Sequence, residues 1–101
     1  MIPQDYAEQI KHEFGEYLSD GDRYTSVDGG RTVEINSVME MTLSDTLLVD
    51  LTLIGQDICQ VYTIRCYPYQ FRGVLTDARR WLRGDPVESV IRAINGERVS
   101  E

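Results

Sequence analysis

One imidazole, two thiols and seventeen carboxylates are the groups through which this 101-residue chain could do chemistry. His12 stands four residues after Glu8 and four before Glu16, so on a helix the three share a stripe that could hold a divalent cation weakly. The apolar stripe Tyr6–Ile10–Phe14 points elsewhere, and His12 reads more simply as a solvated side chain between two carboxylates. His12-Glu13-Phe14-Gly15-Glu16 is not the zinc-protease pattern, because Glu16 occupies the place of the second histidine. Asp20-Gly21-Asp22 opens like a calcium loop. Tyr24 and Thr25 then fill positions that need a ligand and a glycine, and Arg31 stands where a bidentate glutamate belongs. It is a turn.

Cys59 and Cys66 fall in one predicted strand. Their odd separation puts them on opposite faces, with about 23 Å of extended chain between them, too far for a disulfide. They read as small packed residues. The sequence has no nucleophile elbow, phosphate loop, dinucleotide loop or C-x-x-C pair. No catalytic residue, metal or cofactor is therefore assigned. A small enzyme built on an unrecognised carboxylate or cysteine dyad stays open as an alternative.

The length fits one domain spanning residues 1–101 with a single hydrophobic core. Ten cations against seventeen acids leave a net charge of −7. That balance argues against nucleic acid or an anionic membrane as a direct partner, since both require clustered Lys and Arg. Residues 1–19 carry Asp5, Glu8, Glu13 and Glu16 and lack the apolar core of a signal peptide. No apolar run approaches the roughly 18 residues of a membrane helix. A cytoplasmic location is expected.

The groups above must be positioned by the elements around them. Tyr6, Ile10, Phe14 and Leu18 recur every fourth residue and predict a helix from Pro3 to Leu18, with Gly15 weakening its last turn. Ser19-Asp20-Gly21-Asp22 ends it. Strands are predicted at Tyr24–Val27 and Arg31–Met41 around Asp28-Gly29-Gly30, and at Leu47–Ile54 and Ile58–Tyr67 around a Gly55-Gln56 turn. That second turn sets Leu53 against Ile58, Leu51 against Gln60, Val49 against Tyr62 and Leu47 against Ile64, which gives one apolar face. Val33, Ile35, Met39 and Met41 share a parity and join this face through an odd-length loop or a bulge. The opposite face mixes Leu48, Ile54, Cys59 and Val61 with polar residues, and partial cover by a C-terminal helix is expected. Phe71, Val74, Leu75, Ala78 and Leu82 predict a second helix ending at Gly84. Asp85-Pro86-Val87-Glu88 opens a third, ended by Asn95-Gly96. The expected fold is α+β: a four-stranded antiparallel meander flanked by an N-terminal helix and two C-terminal helices.

Charge is distributed unevenly. Residues 1–64 hold three cations against twelve acids, and residues 65–101 hold seven Arg against five acids. Two candidate interaction surfaces follow. One is acidic: Glu8, Glu13, Glu16, Asp20 and Asp22. The other joins aromatic and basic residues around the second helix: Tyr67, Tyr69, Arg72, Arg79, Arg80, Trp81 and Arg83, of the types that dominate binding hot spots. Both also have an ordinary reading, as cations complementing a helix C-terminus and as a solvated acidic surface. Exchanging Arg79 and Arg83 for Glu is expected to weaken a complex and leave the melting temperature nearly unchanged.

The reading that fits these features best is a non-catalytic acidic module that binds a protein with a basic surface and blocks or adapts it. The module would be a monomer or homodimer. Twelve carboxylates within 64 residues suit a blocker of a nucleic-acid-binding machine. Phage anti-CRISPR and anti-restriction proteins are inhibitors of that general kind, a likeness of size and charge that no motif carries. The alternative binding class is a small-ligand carrier or sensor with a pocket lined by Tyr62, Trp81 and the methionines.

Overall fold

The computed structural model describes residues 2–95. The first helix, α1 (Gln4–Phe14), starts where the Pro3 carbonyl accepts hydrogen bonds from the backbone N–H of Tyr6 and Ala7. It buries Ile10 and Phe14 and stops at Gly15, a turn earlier than its apolar spacing predicts. Leu18 leaves the stripe and is exposed. Leu18–Asp20 instead forms β1 and pairs antiparallel with β2 (Arg23–Thr25). Gly21 turns this hairpin at φ +68°, a backbone region that costs glycine little. The four residues read as a helix stop are therefore a strand end and a tight turn. The sheet has five strands, not four, in the order β1-β2-β3-β4-β5.

Strands β3 (Thr32–Met41), β4 (Thr46–Ile54) and β5 (Cys59–Cys66) make up the body of the sheet. Val33 and Ile35 face the core opposite Leu53 and Leu51, as their parity predicts. A bulge between Ile35 and Ser37 then inserts Asn36 as an extra residue. Beyond it the faces exchange: Val38 is buried opposite Val49, while Met39 is 56% exposed. Met39 and Met41, expected in the core, lie on the other side of the sheet.

The β4–β5 pairing keeps the predicted faces but slides by two residues. Leu53 opposes Gln60, Leu51 opposes Tyr62, Val49 opposes Ile64 and Leu47 opposes Cys66. Gly55 is the last paired residue, its N–H bonded to the Ile58 carbonyl at 2.7 Å, so the turn residues are Gln56 and Asp57. Gly55 is no turn former, since its φ is not positive. A Cβ at this position would stand 2.9 Å from Trp81 Cζ2, so the glycine makes room for the indole.

After a 3-10 turn at Pro68–Gln70 come α2 (Phe71–Leu82) and α3 (Val87–Asn95). Gly96, read as the stop of the last helix, lies outside the described residues. Phe71, Val74, Leu75, Ala78 and Leu82 are buried as the spacing predicts. Val90 and Ile94 from α3 join them, with Ile10 and Phe14 from α1, in one cluster against the inner side chains of β3, β4 and β5. All three helices therefore cover the same side of the sheet. No described helix crosses the outer face, contrary to the expected partial cover. No helix among the described residues is long and apolar enough to cross a membrane.

Candidate functional site

The outer face of the sheet is built from residues that the pleat directs away from the helices. Its centre is a hydrogen-bonded polar ladder. Asp50 accepts from Ser37 Oγ at 3.1 Å and Thr63 Oγ1 at 2.7 Å. Thr52 Oγ1 donates to Asn36 Oδ1 at 2.8 Å, Asn36 Nδ2 donates to Glu34 Oε1 at 2.8 Å, and Arg23 pairs with Glu34 at 2.9 Å. Cross-strand bonds of this kind satisfy the central polar groups without a covering layer.

Beyond the ladder the face turns apolar. Met39 and Leu48 are cross-strand partners, Met41 follows, and Leu43 at the tip of the β3–β4 turn is fully exposed. Glu40 and Asp45 flank this tip. On the helix side of the sheet, the hydroxyl pKa of Tyr6 is raised first by burial and then by the negative charges of Glu40, Asp5 and Asp45. The bulge at Asn36 creates the patch, because without it the methionines would point into the core. The result is an apolar patch at one end of the outer face, next to polar groups already fixed in place. Such a surface can dock a complementary one but offers no group poised for bond chemistry.

The predicted surfaces are redistributed. Glu8, Asp20 and Asp22 are exposed. Glu13 is turned inward: its carboxylate pairs with Arg79 Nη1 at 2.9 Å and accepts from Thr76 Oγ1 at 3.2 Å. Glu16 lies past the end of α1, off the Glu8–His12 stripe, and approaches Arg79 at 3.5 Å. Arg79, assigned to one surface, thus neutralises two carboxylates assigned to the other. Among the described residues no three His, Cys, Asp or Glu side chains come close enough to hold a metal ion.

The aromatic and basic residues separate similarly. Tyr67 and Tyr69 stack at 5.7 Å with nearly parallel rings, and both are exposed, as is Arg72. Arg80 pairs with Asp85 at 2.8 Å, and Arg83 is exposed at the far end of α2. Trp81 is buried, donating from Nε1 to the Ile54 carbonyl at 3.1 Å. Arg31, which the sequence did not single out, lies 3.9 Å over the indole and donates to the carbonyls of Trp81 and Asp85. No local pattern could have indicated that contact, which spans fifty residues.

An open groove of about 420 Å³ lies beside this pair, lined by Asp28, Arg31, Asp57, Trp81 and Arg83 among others. Tyr62 lines a different groove with Val87 and Ile91, and Met39 and Met41 lie on the outer face. The side chains expected to share a carrier's pocket are not brought together.

At the mouth of the first groove, Asp28 organises the β2–β3 turn. Its Oδ1 accepts from Ser26 Oγ at 2.6 Å and from the Gly30 N–H at 2.9 Å. The Ser26 hydroxyl, then the Gly30 N–H, hold this carboxyl below the ordinary aspartate value of 3.8. A depressed folded pKa contributes stability that is present above the unfolded value and lost as pH falls through the folded one. The expected result is that unfolding free energy declines below pH 3.8 less steeply in Asp28→Asn than in the parent chain. Carbon-detected titration of Asp28, paired with denaturant unfolding across that range, checks it.

Comparison with protein-family models, with curated proteins and with solved structures finds no match.

Proposed function

We propose that this chain is a non-catalytic acidic interaction module that occupies a Lys- and Arg-rich surface of another protein. The observation that carries the reading is the outer face, which no described helix covers and where Met39, Met41 and Leu43 are exposed. Exposed apolar groups clustered on one face characterise docking surfaces. The charge balance points the same way. Arg23, Arg79 and Arg80 are paired with Glu34, Glu13 and Asp85, and Arg31 lies over the Trp81 ring. Asp5, Glu8, Asp20, Asp22, Glu40, Asp45 and Asp57 remain exposed, against Lys11, Arg65, Arg72, Arg83 and Arg92, and leave the outward field acidic. A field of that sign speeds encounter with a basic partner and weakens as salt rises. The basic channel of a nucleic-acid-binding defence complex is a surface of this chemistry, and blocking it in the manner of an anti-CRISPR protein is the specific form we propose.

The test is affinity capture from host lysate at low and high salt, using the parent chain and a Met39→Asp, Leu43→Asp variant. Both positions are exposed, so stability should change by no more than about 0.5 kcal/mol per substitution. The expected result is retention of basic proteins at low salt, with loss at high salt and in the variant. Retention indifferent to both changes would remove the outer face and the electrostatic mechanism together.

A further inference from the structure

Among the described residues, the last strand of the sheet, β5, has a neighbour on one side only. Antiparallel pairing alternates hydrogen-bonded and non-hydrogen-bonded pairs. The Gly55 N–H to Ile58 carbonyl bond fixes that alternation, making Leu53–Gln60, Leu51–Tyr62 and Val49–Ile64 the bonded pairs. The backbone N–H and C=O groups of Cys59, Val61, Thr63 and Arg65 therefore point away from β4, along the free edge. The strand has no proline, and its register with β4 is unbroken over all eight residues. Those are two of the usual means by which proteins blunt an edge, and neither is used here.

Beside this edge, on the helix side, runs a groove of about 400 Å³ lined by Gln60, Tyr62, Val87, Glu88, Ile91 and Arg92. Its floor is apolar, and Tyr62, Val87 and Ile91 are each only partly buried. A strand added to β5 would direct every second side chain over this floor.

We propose that β5 captures an extended peptide segment of a partner protein by strand addition. Backbone hydrogen bonds to the outward groups of residues 59–65 would hold it, and its alternate apolar side chains would seat between Tyr62 and α3. The edge is about 26 Å long, which suits a segment of seven to nine residues. Charge favours this occupant over a second copy: two chains of −7 repel each other, whereas a neutral segment is not repelled and a basic one is attracted. The inference rests on the interaction-module reading and names how the partner is held, through a surface different from the apolar tip.

The test is selection from a library of random linear dodecapeptides, followed by affinity measurement on three chains. Thr63→Pro removes one outward N–H, together with the hydroxyl's bond to Asp50, and spares the backbone bonds to β4. Ile91→Glu charges the groove floor. The expected result is a set of peptides with apolar residues at alternate positions, each losing at least tenfold in affinity with either variant. The amide protons of Val61, Thr63 and Arg65 should also exchange more slowly when peptide is bound. Failure to select any peptide, or selected peptides insensitive to both variants, overturns strand addition. So does a chain that sediments as a dimer and becomes monomeric with Thr63→Pro, which would make the occupant a second copy. Lysate capture that survives Thr63→Pro and Ile91→Glu but is lost in the Met39→Asp, Leu43→Asp variant would overturn strand addition alone.

Discussion

Gly55→Val is expected to destabilise the chain by about 3 kcal/mol, at the upper end of what overpacking costs, and to lower its melting temperature by about 15 °C. A first side-chain carbon at residue 55 stands 2.9 Å from Trp81 Cζ2 and 3.4 Å from Cη2. Several contacts hold the indole in place. It is buried, its Nε1–H is bonded to the Ile54 carbonyl one residue from the intruding group, and the Arg31 guanidinium covers its face. Arg31 is itself anchored on the carbonyls of Trp81 and Asp85 at 3.1 and 2.6 Å. Any retreat of the ring therefore disturbs the C-terminal end of α2 and the β2–β3 turn together. Denaturant unfolding of Gly55→Ala, Trp81→Phe and the double variant should show positive coupling, because the smaller ring opens the space that alanine needs. A Gly55→Val chain within 0.5 kcal/mol of the parent would mean that the indole does not rest on this glycine.

Arg79→Glu is the second large effect, a loss of about 2–3 kcal/mol. Arg79 bridges α2 to the end of α1 through both Glu13 and Glu16 and donates to the Glu13 backbone carbonyl at 3.2 Å. The Arg79 and Glu13 side chains are only 21% and 11% exposed. Removing one partner of a fully buried pair costs about 3–5 kcal/mol, and the residual exposure lowers the figure here. The substitution also brings three carboxylates together. Arg83→Glu, one turn further on and exposed, should change stability by less than about 0.5 kcal/mol. The two substitutions, equivalent by sequence, separate because only one faces a neighbouring helix. Exchanging the charges, with Glu13→Arg beside Arg79→Glu, should recover part of the loss. Equal, small effects of Arg79→Glu and Arg83→Glu in thermal melts would refute the bridge.

What the sequence shows of this fold is its alternation; what it hides is everything that interrupts alternation. Leu47, Val49, Leu51 and Leu53 are in the core because period-two patterning survives any register shift of two, so the wrong turn at Gly55 did not move them to the other face. The same parity failed for Met39 and Met41, since a bulge at a polar residue leaves no signature in a string of β-formers. Leu18 fitted a helical stripe by spacing alone. Gly15 and Gly21 carried the opposing information, and two such residues six apart suit a helix end followed by a hairpin. The candidate surfaces were least legible. Sequence groups charges by position along the chain, whereas their contacts form across it: Glu13 pairs with Arg79, and Arg31 lies over the indole. The exposed tip is local in sequence, but Leu43 has nothing in its neighbours to mark it as solvent-facing until the turn exists.

The extra residue at position 36 also sets how this surface can change over time. Strand β3 beyond it is out of phase with the strand before it, so deleting that one residue would reverse every side chain from Ser37 to Met41 at once. Val38 would move into solvent and two thioethers would enter a space shaped for one branched aliphatic group. Point substitutions can tune the outer patch residue by residue; a single-codon deletion would abolish it and disrupt the interior in the same step. A lineage that keeps the patch must therefore keep the length of this strand, even where it lets the amino acids drift.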